Sequence, residues 1–305
     1  MNHFDPTNSI IRLIKAFSLI GMIAFSLGCE KTVTVDIPES EERFVIEGYI
    51  QNDTFPVLRI SRTLPYFGTV SFETLTNTSV TDARVIISDG FTQDTMLFIP
   101  VFGGIYVDPL MRGVPGRNYS IRVEAEGKIL TASTLLPMPV YLDSTWWKVD
   151  GRRDSLGFAW AHITDPDTLG NSYRWFAQRI NSYTYGELAS QQKDTTFIAP
   201  LGSVFEDKFI NGRSFDFNFP RGKLTNSNKP DDLNEEDFFF KRGDTIVVKF
   251  CSIDRSNFDF WRSEETQVSN NGNPFGSVTP VKSNIEGGLG IWGGYTATYD
   301  TIIAR

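Results

Sequence analysis

Between Phe44 and Gln51 apolar positions fall on every second residue: Phe44, Ile46, Gly48 and Ile50 alternate with Val45, Glu47, Tyr49 and Gln51. A period of two puts the first set on one face of a strand. The same pattern predicts strands at Val57–Arg62, Ala83–Ser88, Thr95–Pro100, Ile105–Val107, Tyr119–Glu126 and Ile129–Thr134. Turn residues separate them, at Asp89-Gly90, Gly103-Gly104, Pro115-Gly116 and Glu126-Gly127. Short strands at this density predict a mainly β fold, with a β-sandwich of immunoglobulin or transthyretin type over 43–138. Pro137 and Pro139 mark its end.

The remaining stretch, 139–305, reads as a second β-rich, sandwich-like domain with one short helix. Its strands are expected at Ser144–Val149, Gly157–Ile163, Ser172–Ile180, Thr195–Ile198, Ser214–Phe219, Glu236–Lys241 and Thr245–Ser252. Tyr173 to Ala177 (YRWFA) alternates poorly, which suggests a strand buried on both faces. The helix is expected at about Arg255–Ser269, with Asp254 or Ser256 accepting from its free N–H groups and Phe258, Trp261 and Val268 near one face. An acidic, Asn-rich loop spans 226–237, and the tail from Asn284 to Tyr295 is Gly-rich.

The first 28 residues read differently. Arg12 and Lys15 precede an uncharged run, Ala16 to Leu27, of signal-peptide length and too short to span a bilayer. It ends Ser26-Leu27-Gly28-Cys29, which resembles the lipobox of bacterial lipoproteins, although Ser26 stands where Leu is usual. Residues 1–28 would then be a lipoprotein signal peptide, Cys29 the lipidated first residue, and 29–42 a tether. Ordinary signal-peptidase cleavage, leaving Cys29 as a thiol, is the alternative. Each buried CH₂ of an acyl chain contributes about 0.8 kcal/mol, so several chains hold a protein on a membrane durably.

Composition narrows the chemistry. The 305 residues carry two His, two Cys and a net charge of −8, which becomes −9 once Arg12, Lys15 and Asp5 leave with the leader. That balance disfavours nucleic-acid binding, which needs basic surface to displace counterions. Two His and two Cys fall short of Cys₄, Cys₃His and His₃ zinc sets, and with His3 leaving in the leader and Cys29 lipidated they cannot make Cys₂His₂ either; no HExxH, GxSxG or Walker A motif occurs. With Cys29 lipidated, Cys251 has no disulfide partner; its run, TIVVKFCSI, predicts a buried small hydrophobe. His162 reads as a surface or structural residue. The carboxylates at Asp231-Asp232, Glu235-Glu236-Asp237 and Asp165-Pro166-Asp167 offer oxygen ligands without EF-hand spacing, so a solvated loop is favoured over a Ca²⁺ site. No catalytic residues, cofactor or metal ligands are assigned.

The aromatic surplus is the stronger lead. Trp146, Trp147, Trp292 and Tyr295 are candidates for contact with a partner or a peptide or glycan ligand, alongside Tyr183, Tyr185 and Phe238-Phe239-Phe240. Adjacent strand residues point to opposite faces, so Trp146 and Trp147 cannot share one core face. Asp-Ser/Thr followed by Leu, Ile, Met or Thr recurs, which resembles an O-glycosylation sequon of exported bacterial proteins. It makes Thr95, Ser144, Ser155, Thr168, Thr195, Thr245 and Thr301 candidate modification sites, although Asp-Thr is also an ordinary turn-to-strand dipeptide.

Several strings together resemble one family. They are Cys29-Glu30-Lys31, Asp36-Ile37-Pro38, Phe44-Val45-Ile46-Glu47-Gly48, Pro115-Gly116-Arg117-Asn118-Tyr119, Asp143-Ser144, and above all the Ser283–Tyr295 stretch containing NIEGGLGIWGGY. The chain is similar to the Bacteroidota outer-membrane lipoproteins grouped as domain of unknown function 4249. The resemblance implies no catalytic residues. It implies a non-enzymatic accessory or binding module, anchored to the outer membrane by lipid and often associated with a TonB-dependent receptor in nutrient uptake. A surface structural or adhesive role without transport is the alternative. Within the Gly-rich signature, the glycines are expected to serve backbone turns and close strand approach rather than a phosphate.

Overall fold

The alternation at Phe44–Gln51 becomes strand β1, paired antiparallel with β2 (Val57–Arg62), so that Ile46 faces Ile60. The computed structural model describes residues 41–64, 71, 74, 77–101, 103–181, 194–222, 238–270 and 279–305. The leader, Cys29, most of the tether, the loop at 226–237, Tyr183 and Tyr185 lie outside the described residues. The fold is mainly β and layered. Its elements continue in chain order as β3 (Arg84–Ser88), β4 (Gln93–Thr95), β5 (Leu97–Ile99), β6 (Ile105–Val107), β7 (Asn118–Ala125) and β8 (Lys128–Leu135). Then follow β9 (Ser144–Val149), β10 (Leu156–Thr164), β11 (Ser172–Asn181), β12 (Val204–Glu206), β13 (Ser214–Phe219), β14 (Phe240–Lys241), β15 (Thr245–Ile253), helix α1 (Arg255–Asn270) and β16 (Leu289–Ile303).

Eight strands make the principal sheet, in the order β12-β11-β15-β16-β1-β2-β6-β5. Within it β1 and β16 run parallel, with Val45 beside Leu289 and Gln51 beside Tyr295. Two smaller sheets pack against one face of the large one. The sheet β4-β3-β7-β8 brings Val85, Ile87, Ile121, Val123 and Leu130 onto Ile46, Ile50, Leu58, Ile60 and Trp292. The sheet of β13, β10, β14 and β9 brings Ala159, Ala161 and Ile163 onto Tyr173, Trp175, Val248 and Phe250, with Phe217 and Phe219 beside them. Register places both cores on the same face, because Ile46, Trp292, Ile302 and Phe250 occupy same-parity partner positions across β1, β16 and β15.

The opposite face carries Arg174 and Phe176 of β11, Lys249 and Cys251 of β15, and Tyr295 and Ala297 of β16. Helix α1 covers part of it, packing Phe258 and Trp261 against Cys251, Ile253, Tyr295 and Ala297. This explains the poor alternation at 173–177: Tyr173 and Trp175 enter one core while Arg174 and Phe176 line the other side. The helix starts as the sequence predicts, with Asp254 Oδ1 accepting from the Asn257 N–H at 2.9 Å.

Several expectations take a different form in the structure. The strand read at Thr95–Pro100 is two strands, because the chain changes sheets at buried Met96: Gln93–Thr95 pairs with β3 and Leu97–Ile99 with β6. Thr195–Ile198 is not a strand; Ile198 makes a single bridge to Ala177. From Leu289 onward the Gly-rich tail is the first part of the 15-residue strand β16, whose glycines admit close neighbours. Gly290 has φ +106°, and a Cβ there would lie 1.9 Å from the Ile46 carbonyl oxygen; at Gly294 it would lie 2.6 Å from that of Leu135. The boundary expected at 138/139 falls inside a single compact unit, 41–305, and segments from both sides of it share the principal sheet. Among the described residues no helix is long and apolar enough to cross a membrane.

Candidate functional site

The face of the large sheet that α1 only partly covers holds a cleft of about 1040 Å³. Its floor comes from β11, β15 and β16, one wall from α1, and the other from residues 196–201 with Pro220, Gly222 and Phe238. Aromatic rings dominate it. Tyr295 meets Tyr49 edge-on at 6.3 Å and Phe176 at 6.4 Å between ring centres, and its hydroxyl accepts from Trp261 Nε1 at 2.6 Å. Phe197 packs 5.8 Å from Tyr299.

Two cations stand among these rings. The Arg174 guanidinium carbon lies 3.4 Å from the centre of the Trp261 ring and 4.8 Å from that of Phe176. Its Nη1 donates to the Tyr295 hydroxyl at 3.4 Å, while its buried Nε has no acceptor. Lys249 Nζ sits 5.2 Å from the Phe176 centre and 5.7 Å from that of Phe197. Burial pushes the Lys249 ammonium below the usual lysine range, and the like charge of Arg174 adds to this. Neither cation has a carboxylate within ion-pair distance among the described residues. Arg221, also at the cleft, is instead ion-paired with Asp194. Glu265 is buried beside Arg174; burial raises its carboxyl, opposed by Arg174 and by N–H groups of Gly202 and Val204.

The residues singled out from sequence are scattered. Trp292 is wholly buried in the core, donating from Nε1 to the Tyr119 carbonyl at 3.0 Å, so it cannot meet an outside partner. Its ring takes the space that Gly48 leaves open across the β1–β16 pair. Tyr295 is also buried, and belongs to the cleft floor rather than to an exposed platform. Trp146 and Trp147 do point to opposite faces. Trp147 packs against the core on the inner face of its sheet, and Trp146 stacks on Trp160 on the outer face at 6.1 Å. Of the Phe run, Phe240 is core, Phe239 packs 4.9 Å from Phe158, and Phe238 lines the cleft.

Cys251 is buried, and burial pushes its thiol up to about 11. His162 Nδ1 meets Asp216 Oδ1 at 2.6 Å across the β10–β13 pair, a cross-strand contact on the outer face. Asp165 accepts from the Tyr173 hydroxyl and the Gly212 N–H, and Asp167 from Asn211, so both are engaged within the protein. Among the hydroxyl positions of the Asp-Ser/Thr motif, Thr95, Ser144, Ser155, Thr168, Thr195 and Thr301 are exposed and Thr245 is half-buried. Sequence reasoning missed Arg174, Lys249 and Trp261 as one site. The available signal was a lone cation inside each of two apolar strand runs, SYRWFAQ and TIVVKFCSI.

The sequence model of the family described as Domain of unknown function (DUF4249) matches residues 30–301. The chain belongs to this family. The match takes in every element of the domain of unknown function 4249 fold described above, from β1 through most of β16, and all the cleft residues. No curated protein matches the chain.

Proposed function

We propose that this member of the domain of unknown function 4249 family is a non-enzymatic binding module of the Bacteroidota outer membrane. In this reading lipidated Cys29 anchors it, the cleft beneath α1 takes a ligand, and a TonB-dependent transporter works beside it in nutrient uptake. The observation that carries the binding role is the cleft itself. Ligand sites are concave, largely apolar and aromatic, with a few polar groups that fix orientation. This one sets Arg174 and Lys249 among Phe176, Phe197, Trp261 and Tyr295. The anchor rests on Gly28-Cys29 following the uncharged run Ala16–Leu27.

Two measurements test the reading. Metabolic labelling with palmitate should mark the wild-type chain and not Cys29→Ala; an unlabelled wild type would remove the anchor. Affinity purification from membranes in mild detergent should bring down a transporter. Recovery of the chain alone would overturn the transport role and favour a structural or adhesive one.

A further inference from the structure

We propose that Arg174 and Lys249 together form a carboxylate-recognition point, and that the cleft's ligand carries one carboxylate on an apolar or aromatic body. The inference rests on the reading that the cleft binds a ligand, and it names the chemistry of that ligand. Arg174 pairs with Cys251 and Phe176 with Lys249 in the β11–β15 register, so the two cations are diagonal neighbours on one sheet face. Diagonal neighbours sit about 7–8 Å apart, a gap that one carboxylate can bridge while accepting from both.

Two positive charges this deep need compensation. The π faces of Phe176, Phe197 and Trp261 give part of it, and cation–π contacts are weaker than a direct ion pair in a desolvated site. The nearby carboxyl of Glu265 does not reach Arg174 for an ion pair, and its own Oε2 is buried without a partner. Arg174 is more than nine-tenths buried, yet its Nε donor is unused. An unfilled buried donor beside an ammonium with no carboxylate partner among the described residues is the arrangement an incoming anion would complete.

The same cleft limits the charge of that anion. Glu47, Glu264 and Glu265 all line it, and they would repel a dianion such as a phosphate monoester. The rings around the cations favour an aromatic or aliphatic group beside the anionic head. A peptide C-terminus with an apolar last residue has this composition.

Calorimetry on the full chain purified in detergent, with N-acetyl-L-phenylalanine and its primary amide as probes, tests the inference. The acid should bind at least about tenfold more tightly than the amide, with an affinity that falls as salt rises. Lys249→Met, close in shape and checked for folding by near-ultraviolet circular dichroism, should weaken the acid about tenfold and leave the amide unchanged. Equal affinity for acid and amide, or no binding of either, would overturn the carboxylate inference, as would undiminished acid binding by Lys249→Met. Equal binding of both probes would still leave the cleft a binding site. The membrane co-purification decides the transporter association independently.

Discussion

The Thr134 hydroxyl donates to Asp254 Oδ2 at 2.9 Å, joining the end of β8 to the residue that caps α1. The same oxygen accepts from the Leu135 N–H at 3.0 Å, and the other carboxylate oxygen from Asn257 N–H and Ser256 Oγ. One side chain therefore starts a helix and ties it to a strand more than a hundred residues away. Asp254→Ala should lower unfolding stability by roughly 2 kcal/mol, combining a lost cap with two orphaned donors. Asp254→Asn, which keeps an acceptor, should cost less. Urea unfolding followed by circular dichroism measures both.

Gly290 and Gly288 test the structural reading of the Gly-rich signature. Gly290→Ala puts a Cβ into the Ile46 carbonyl at positive φ and should destabilise by about 1–3 kcal/mol or more. Gly288→Val meets Leu130 Cδ2 at 2.4 Å from its first side-chain carbon and should reduce folded yield. Normal yield of Gly288→Val with lost transporter recovery would instead assign that turn to docking.

The thiol of Cys251, raised to about 11 by burial, should not react with maleimide at pH 8 in the folded protein. In urea one equivalent should react. Two equivalents on denaturation would mean that Cys29 carries a free thiol, contrary to lipidation.

Asp89 supplies a pH dependence. Its carboxylate accepts from the N–H groups of Thr92 and Phe91, from the Thr92 hydroxyl and from Arg117 Nη1 at 2.6 Å, and these lower its pKa to about 2. Because the folded value lies below the unfolded one, the contribution is present above about pH 4 and is lost as pH falls towards 2. Asp89→Asn should lower the urea midpoint at pH 7, and the difference from wild type should close by pH 2. A constant difference across that range would reject the assignment.

Most strands were legible because their neighbours differ in polarity from face to face. Val57–Arg62, Ile105–Val107, Ser144–Val149 and Ser214–Phe219 appear with the expected ends. Strand β16 was illegible for a physical reason: Gly290, Gly293 and Gly294 erase the alternation while making room for Ile46, Asn257 and Leu135. The cleft was hidden for another. Arg174 and Phe176 read only as part of a strand buried on both faces, and their meaning depends on Lys249 and Trp261, which only the sheet register and α1 bring beside them. Counting aromatics pointed to ligand contact, yet Trp292 went to the core and Trp261, read from sequence as part of a helix face, to the cleft.

The parallel pairing of β1 with β16 sets the order in which the molecule can be made. Val45 waits for Leu289, so the middle of the large sheet stays open until almost the whole chain is present. Trp292, delivered with β16, fills a core otherwise built from residues before 137 and Ile285. The early strands thus have no finished core of their own to settle into, and contacts so distant in sequence make for slow folding. A chain stopped before residue 289 would lose its N-terminal core along with its C-terminal strand, so the two ends of the sequence stand or fall together.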